Sequence, residues 1–189
     1  KNFVGGKRGL LQILTMAILK IYKYGEDILT RKAQRVNFNL MEKKLPKIIN
    51  DMTHTCLVMR GVGLAAPQVG LDMALTVIML PVGTEEKEEY KRYVLINPEI
   101  SCPKGSVQSQ EGCLSFPGLE VEVERAEQIK VKYLNEKGLP VTLTANGYFA
   151  IILQHEIDHL NGKVFIDHLK GEKRAEAKKK IAELSKTWN

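Results

Sequence analysis

The sequence has few cysteines. Cys56, Cys102 and Cys113 are odd in number and no two stand at Cys-x-x-Cys spacing. That excludes a disulfide framework and points to a reducing compartment. Nor does it have an apolar run approaching the roughly 18–20 residues of a membrane-spanning helix. The segment from Leu10 to Ile21 is broken by Gln12, Thr15 and Lys20, which makes it a poor apolar centre for a signal peptide. Internal repeats and an interdomain linker are absent too. What remains is a chain of 189 residues, 44% hydrophobic and 26% charged, the composition of one soluble domain. Such a domain buries a core without staples, so a bound metal would serve chemistry rather than folding.

The net charge of +6 sits at the ends of the chain. Residues 1–15 hold Lys1, Lys7 and Arg8 and no acid, and residues 170–189 hold seven bases against three acids. The body between them is close to neutral, which argues against a DNA reader. The basic ends can meet nucleic acid, a membrane surface or simply water, and with no apolar run of membrane-spanning length no membrane partner is expected. Residues 1–15, with Gly5, Gly6 and Gly9 among scattered bases, read as an N-terminal extension outside the fold. The single catalytic domain is then 16–189, beginning at Met16. Two origins for the extension stay open: an extended reading frame, or part of a transit peptide. The first goes with a bacterial cytoplasm and the second with an organelle.

From Asn39 the pattern turns helical, with Asn39 and Glu42 as an expected capping box. Leu45, Ile48, Ile49, Met52, Cys56 and Met59 recur at three- and four-residue steps, the mark of one buried helix face. Pro46 fits only a first turn or a kink, Gly61 is the expected stop, and His54 faces solvent. Gly61 to Gly70 reads as a tight loop, either a plain turn, which composition alone favours, or one that admits another chain to its backbone. Ala74–Leu80 and Tyr93–Ile96 read as strands, the second stopped by Asn97-Pro98, with a charged exposed loop over 83–91 between them. Residues 119–145 alternate apolar with polar and predict antiparallel hairpins with one wet face. A helix is expected from an Asn146 cap to Leu160, stopped by Asn161-Gly162. A basic one covers about 171–188, with Ala177, Ile181, Leu184 and Trp188 as its apolar stripe. The fold class is α+β.

Residues 154–160 read Gln-His-Glu-Ile-Asp-His-Leu. Histidines four apart on a helix share a face, about 6 Å from each other, so both imidazoles can reach one ion. The glutamate after the first can accept a proton from water at the ion's open position. Tyr148, Ile151 and Ile152 carry an apolar face up to His155, so the histidines point inward, where unpaired polar groups are costly. A metal would satisfy them, and so would an ordinary hydrogen-bonded pair of core histidines. A catalytic site needs a third ligand and a vacancy. His168 lies beyond the helix stop and reads as surface; Cys113, beside Gly112, is the other candidate, against the alternative of a buried free thiol.

The chain resembles peptide deformylase in three motifs that occur in order: Gly61-Val-Gly-Leu-Ala-Ala-Pro-Gln68, Glu111-Gly-Cys-Leu-Ser115 and Gln154-His-Glu-Ile-Asp-His-Leu160. The resemblance spans about Ile18 to Trp188. It implies antiparallel β-sheets packed around a central metal-binding helix, with an N-terminal helix and a C-terminal amphipathic helix. Cys113, His155 and His159 would bind the metal and Glu156 would act as general base and then acid. The Gln68 amide and the Leu114 backbone N–H would stabilise the oxyanion. The substrates would be formyl-methionyl nascent peptides, cleaved to release formate. The ion would be Fe(II), with zinc, nickel or cobalt as substitutes; a thiolate ligand suits such ions and not magnesium. Tyr148, Ile151, Ile152 and Val62 would enclose the methionine side chain, with Gly112 at the site's edge. The Gly61, Val62, Gly63 and Leu64 backbone would pair with the peptide like an added strand. The basic C-terminal helix is either a solvated docked helix or a ribosome contact. Two other functions stay in view: a peptidase whose third ligand is not cysteine, and a non-catalytic metal-binding module.

Overall fold

The computed structural model describes residues 16–83, 87 and 89–188, so the expected extension over 1–15 lies outside them. Five strands, β1 (Gly63–Ala65), β2 (Leu75–Pro81), β3 (Tyr90–Lys104), β6 (Gln128–Leu134) and β7 (Pro140–Asn146), form one antiparallel sheet in the order β1-β2-β3-β6-β7. Two more, β4 (Val107–Gly112) and β5 (Glu120–Arg125), pair antiparallel as a separate ribbon. The helices are a single turn α1 (Phe38–Met41), then α2 (Leu45–Val58), α3 (Gly147–Leu160) and α4 (Gly171–Leu184). Helix and antiparallel sheet are thus mixed as expected.

The large sheet is covered on both faces. Leu75, Val77 and Met79 pack with Leu45, Ile49, Met52 and Cys56 of α2. Ile78 and Leu95, from the other face, pack with Ile129, Val131 and with Ala150, Leu153 and Ile157 of α3. Residues of β2 are therefore buried in succession, whereas β6 alternates, Ile129, Val131 and Tyr133 inward and lysines outward. A third core joins the ribbon to the C-terminal part through Phe116, Val123, Phe165, Ala177 and Ile181.

Several boundaries differ from expectation, each for a local reason. Asn39 and Glu42 make no capping box; Asn37 caps α1, its side chain accepting from Leu40 N. Helix α2 begins with Pro46 in its first turn, as expected, but the left-handed residue at its end is Arg60, at φ 55°, and not Gly61. Arg60 N donates to Leu57 O and Gly61 N to Cys56 O, the paired bonds of a Schellman stop. Met59 lies past the helix and is exposed. Asp51 and Thr55 are buried beside the stripe because the chain at Ala17–Leu19 crosses α2, Ala17 N donating to Asp51 and Leu19 N to Thr55.

Strand β3 does not stop at Asn97-Pro98. Asn97 adopts φ 53° in a bulge, and the register to β6 shifts between Ile96 and Glu99. The bulge takes up a residue that cannot join the ladder. Asn97 also bonds both backbone groups of Val36 through its side chain. Tyr90 and Lys91, expected in the loop, belong to β3. Asn146 precedes α3 but does not cap it; its Oδ1 accepts from Gln128 Nε2 at 2.6 Å. The α4 stripe is buried at Ala177 and Ile181 and only half-buried at Leu184 and Trp188. No helix among the described residues is long and apolar enough to cross a membrane.

Leu95 is fully buried at the centre of the sheet and Leu139 is 56% exposed. Leu95→Ala is expected to lower unfolding free energy by about 2–5 kcal/mol, and Leu139→Ser by less than about 0.5 kcal/mol, both read from urea unfolding midpoints.

Candidate active site

Helix α3 brings His155 and His159 one turn apart, with ring centroids 5.2 Å from each other. Cys113 follows the last residue of β4, where the ribbon turns back toward β5. Its Sγ lies 3.3 Å from His159 Nε2. One ligand atom each from Cys113, His155 and His159 fall within 4.8 Å of one another, a group that could hold a metal ion. A tetrahedral ion with bonds of 2.0–2.3 Å sets its ligands roughly 3.5 Å apart, close to the thiol–imidazole distance here. The donor set fits a borderline-soft divalent ion. His159 Nδ1 and Glu156 Oε2 are buried with no protein partner, so polar demand in the site is unmet by the chain itself.

Behind the histidines lies an ionic network. Glu111 accepts from Arg125 through both oxygens, Nε to Oε1 at 2.7 Å and an η-nitrogen to Oε2 at 3.0 Å. His155 Nδ1 lies 2.8 Å from the same Oε2, which turns Nε2 toward Cys113. Arg125 also reaches Asp158, at 2.5 Å. His168 Nε2 stands 2.7 Å from Asp158, so it is tied to this network and is not among the grouped ligand atoms. Neither Glu111 nor Arg125 is singled out by motif spacing as a ligand or catalytic group. The signal was present: in Val121, Val123, Arg125 an arginine takes the inward phase of an apolar alternation.

Burial alone would raise the Glu111 carboxyl, but its bonds to His155 and Arg125 outweigh burial and leave it below the usual glutamate range. Glu156 moves the other way. Burial raises its pKa to about 7, despite the imidazoles of His155 and His159, with the nearby charges of Cys113 and Glu111 adding to the rise. Gly63 stands against it. A β-carbon at residue 63 would lie 2.7 Å from Glu156 Cγ and Cδ, so only glycine lets β1 pass the carboxyl. Burial opposes ionisation of Cys113, yet His159 and His155 bring its pKa down to about 5. The Cys56 thiol has no such neighbours; burial first, then the charge of Glu156, push it up to about 12. The two thiols are therefore unlike.

Gln68 is buried in the turn after β1. Its Oε1 accepts from Ala65 N at 2.8 Å, which aims Nε2 at Cys113 Sγ, 3.4 Å away, and at Ser115 Oγ, 3.3 Å away. Leu114 N–H donates to no protein acceptor among the described residues. A cleft of about 780 Å³ opens over these groups. Gly61, Val62, Gly63, Gly112, Tyr148, Ile151 and Ile152 line it, together with Gln68, Cys113, Leu114, His155 and Glu156. Leu64 does not; its side chain is fully buried in the α2 core. Gly112 is open, since a β-carbon there would make only ordinary contact with Glu120. Lys23, to which the sequence pattern pointed nowhere, also lines the cleft and donates to Leu114 O at 3.1 Å.

Residues 18–175 match the family described as Polypeptide deformylase. The chain is 51% identical over 176 residues to a peptide deformylase of Elusimicrobium minutum, covering 92% of this chain and 100% of that one. With that of Aquifex aeolicus it shares 44% over 164 residues, covering 87% and 95%. Among solved structures it is similar to a peptide deformylase of Legionella pneumophila, with TM-score 0.80, 41% identity, and 90% and 96% covered. It is also similar to the Synechococcus elongatus peptide deformylase in complex with actinonin, with TM-score 0.77, 38% identity, and 89% and 88% covered.

The Glu156 shift has a consequence for stability. A carboxyl whose folded pKa is raised from 4.5 to about 7 binds its proton more tightly in the folded chain. Its contribution favours folding below the unfolded pKa and is lost as pH rises through the folded one. In metal-free protein, Glu156→Gln is expected to exceed the parent in stability at about pH 8, by up to about 3 kcal/mol, the gap closing toward about pH 4.5. Urea unfolding across that range measures it.

Proposed function

The chain belongs to the peptide deformylase family, metal-dependent hydrolases that remove the formyl group from newly made peptides, and we propose that it does so with Cys113, His155 and His159 as metal ligands and Glu156 as the proton carrier. The observation that carries this reading is the convergence of the three ligand atoms beside the buried Glu156 carboxyl, one oxygen of which has no protein partner. A third ligand from elsewhere, as another peptidase of this histidine motif would need, has no counterpart, because Cys113 is the group that completes the set among the described residues. The thiolate and two imidazoles suit a borderline-soft divalent ion; iron(II) as the resident ion, with zinc, nickel or cobalt able to replace it, is what family membership implies. When bound, the ion supplies Lewis acidity, polarising the formyl oxygen and making water easier to deprotonate.

The chain's own groups do the rest. Glu156 accepts a proton from the attacking water as the water oxygen joins the formyl carbon. Negative charge develops on the formyl oxygen, where Gln68 Nε2 and Leu114 N–H are the two donors that meet it. Glu156 then returns the proton to the amine nitrogen as the C–N bond breaks, giving formate and a free N-terminus. Ile151, Ile152, Val62 and the ring of Tyr148 make the apolar wall for the methionine side chain. Strand β1 is an edge strand, so the outer side of Gly61–Gly63 is available to pair with an extended peptide. Leu64 serves that strand from within, anchored in the core.

The exposed lysines of α4, Lys178 and Lys179, with Lys186 just past its end, form a basic surface suited to ribosomal RNA near the emerging chain. This fits a bacterial cytoplasmic setting; the relatives described above are from bacteria. Replacing all three with glutamate is expected to weaken salt-sensitive cosedimentation with ribosomes while leaving hydrolysis of short peptides intact. Equal cosedimentation would count against the contact.

Formate release from formyl-Met peptides by anaerobically prepared protein, with metal analysis alongside, tests the central reading. Glu156→Ala should retain about one ion per chain and lose at least about 10²-fold in turnover. Full turnover in that variant would point to a passive metal-binding module. Ile151→Trp should raise KM for formyl-Met substrates with the metal content unchanged.

A further inference from the structure

The segment Tyr22–Tyr24 belongs to none of the motifs, yet it touches both loops of the cleft. Tyr22 N donates to Gln68 O at 2.8 Å, Lys23 Nζ to Leu114 O at 3.1 Å and Tyr24 N to Ser115 O at 3.0 Å. The rings on either side are seated as well. Tyr22 stands so close to Gly70 that a β-carbon there would lie 2.8 Å from its Cζ, and Tyr24 lies 4.7 Å from Phe116 between ring centroids.

We propose that Lys23 is a positioning residue for the hydrolysis, holding the Leu114 peptide so that its N–H stays aimed into the cleft. This rests on the reading of Leu114 N–H as an oxyanion donor. Peptide units are planar, so an acceptor bond at a carbonyl also fixes the N–H of that unit. Phe116 N donates to Cys113 O at 2.9 Å, which holds the Cys113–Leu114 unit that carries this N–H. Lys23 holds the next unit, Leu114–Ser115, and Tyr24 holds the one after. Both planes flanking the Leu114 α-carbon are therefore pinned, the first by the turn itself and the second by a side chain from another part of the molecule. Without Lys23 the Leu114–Ser115 plane has no bond of its own, and the plane that carries the Leu114 N–H is steadied by the Phe116 bond alone. Lys23 lines the cleft and is partly buried, so water is a poorer substitute for it than at an open surface.

Lys23→Met in zinc-loaded protein tests this, with Lys23→Gln as a second variant should the first fail to fold, and Lys23→Arg as the conservative one. An oxyanion donor removed outright costs about 10²–10³ in rate; one misaimed should cost about 10-fold in kcat. KM should change less than about twofold, the metal content should hold, and Lys23→Arg should recover most of the rate. The Leu114 amide cross-peak in a ¹H–¹⁵N spectrum should be displaced in Lys23→Met and near its original place in Lys23→Arg. An unchanged kcat with an unmoved Leu114 amide overturns the proposal. So does a loss that appears only in KM, which would make Lys23 a substrate contact, or one that follows loss of the metal. If the parent protein released no formate, the reading of the site would fall. The amide measurement would still show whether Lys23 orients Leu114.

Discussion

Glu111 is bonded on two sides at once, to Arg125 across the two-stranded ribbon and to His155 on helix α3. All three groups are nearly sealed from water, the Arg125 side chain at 2% exposure. A buried pair of this kind adds little net stability over an apolar substitute, but losing one partner leaves a charge stranded, at a cost of about 3–5 kcal/mol. The ribbon and the helix are thus held in one relative position. Cys113 comes from the first and the histidines from the second, so the spacing of the three donors depends on that carboxylate.

The same neighbourhood separates two glutamates by environment. Glu111 is given donors and remains ionised; Glu156 is given burial, with one oxygen unpartnered, and its proton becomes easy to keep and easy to lose near neutrality. One carboxyl suits orientation and the other suits proton transfer, a division that follows from what each touches and not from residue type. Gly63 is part of it. By withholding a side chain it lets the edge strand lie against Glu156, which keeps that carboxyl dry.

Much of this was legible from local pattern. The alternation of β6, the helix carrying His155 and His159 and the proline in the first turn of α2 all write their geometry into neighbouring residues. The paired histidines and Cys113 stood out by residue type and spacing, the part of the Gly61 loop through resemblance, and the structure brings them together. Features that depend on distant partners were not legible. Strand β4, Val-Gln-Ser-Gln-Glu-Gly, has a charged residue where a core residue would signal a strand, because Arg125 neutralises it from β5. Asn97-Pro98 looked like a stop, and becomes a bulge because Val36 occupies the asparagine side chain. Arg60 does the work expected of Gly61 because the Schellman bonds outweigh the strain of its φ. Lys23 sits in a segment with no periodicity, and only its reach to Leu114 distinguishes it from any surface lysine.

The ribbon is also the smaller of the two sheets, and it meets the rest of the molecule through the Phe116 core and the Glu111 bonds. A ligand gripped by both pieces binds only while they are docked, so its affinity and their docking equilibrium are a single thermodynamic cycle. Each tightens the other by the same factor. Occupancy of the cleft and rigidity of the ribbon are, in this protein, two measures of one quantity.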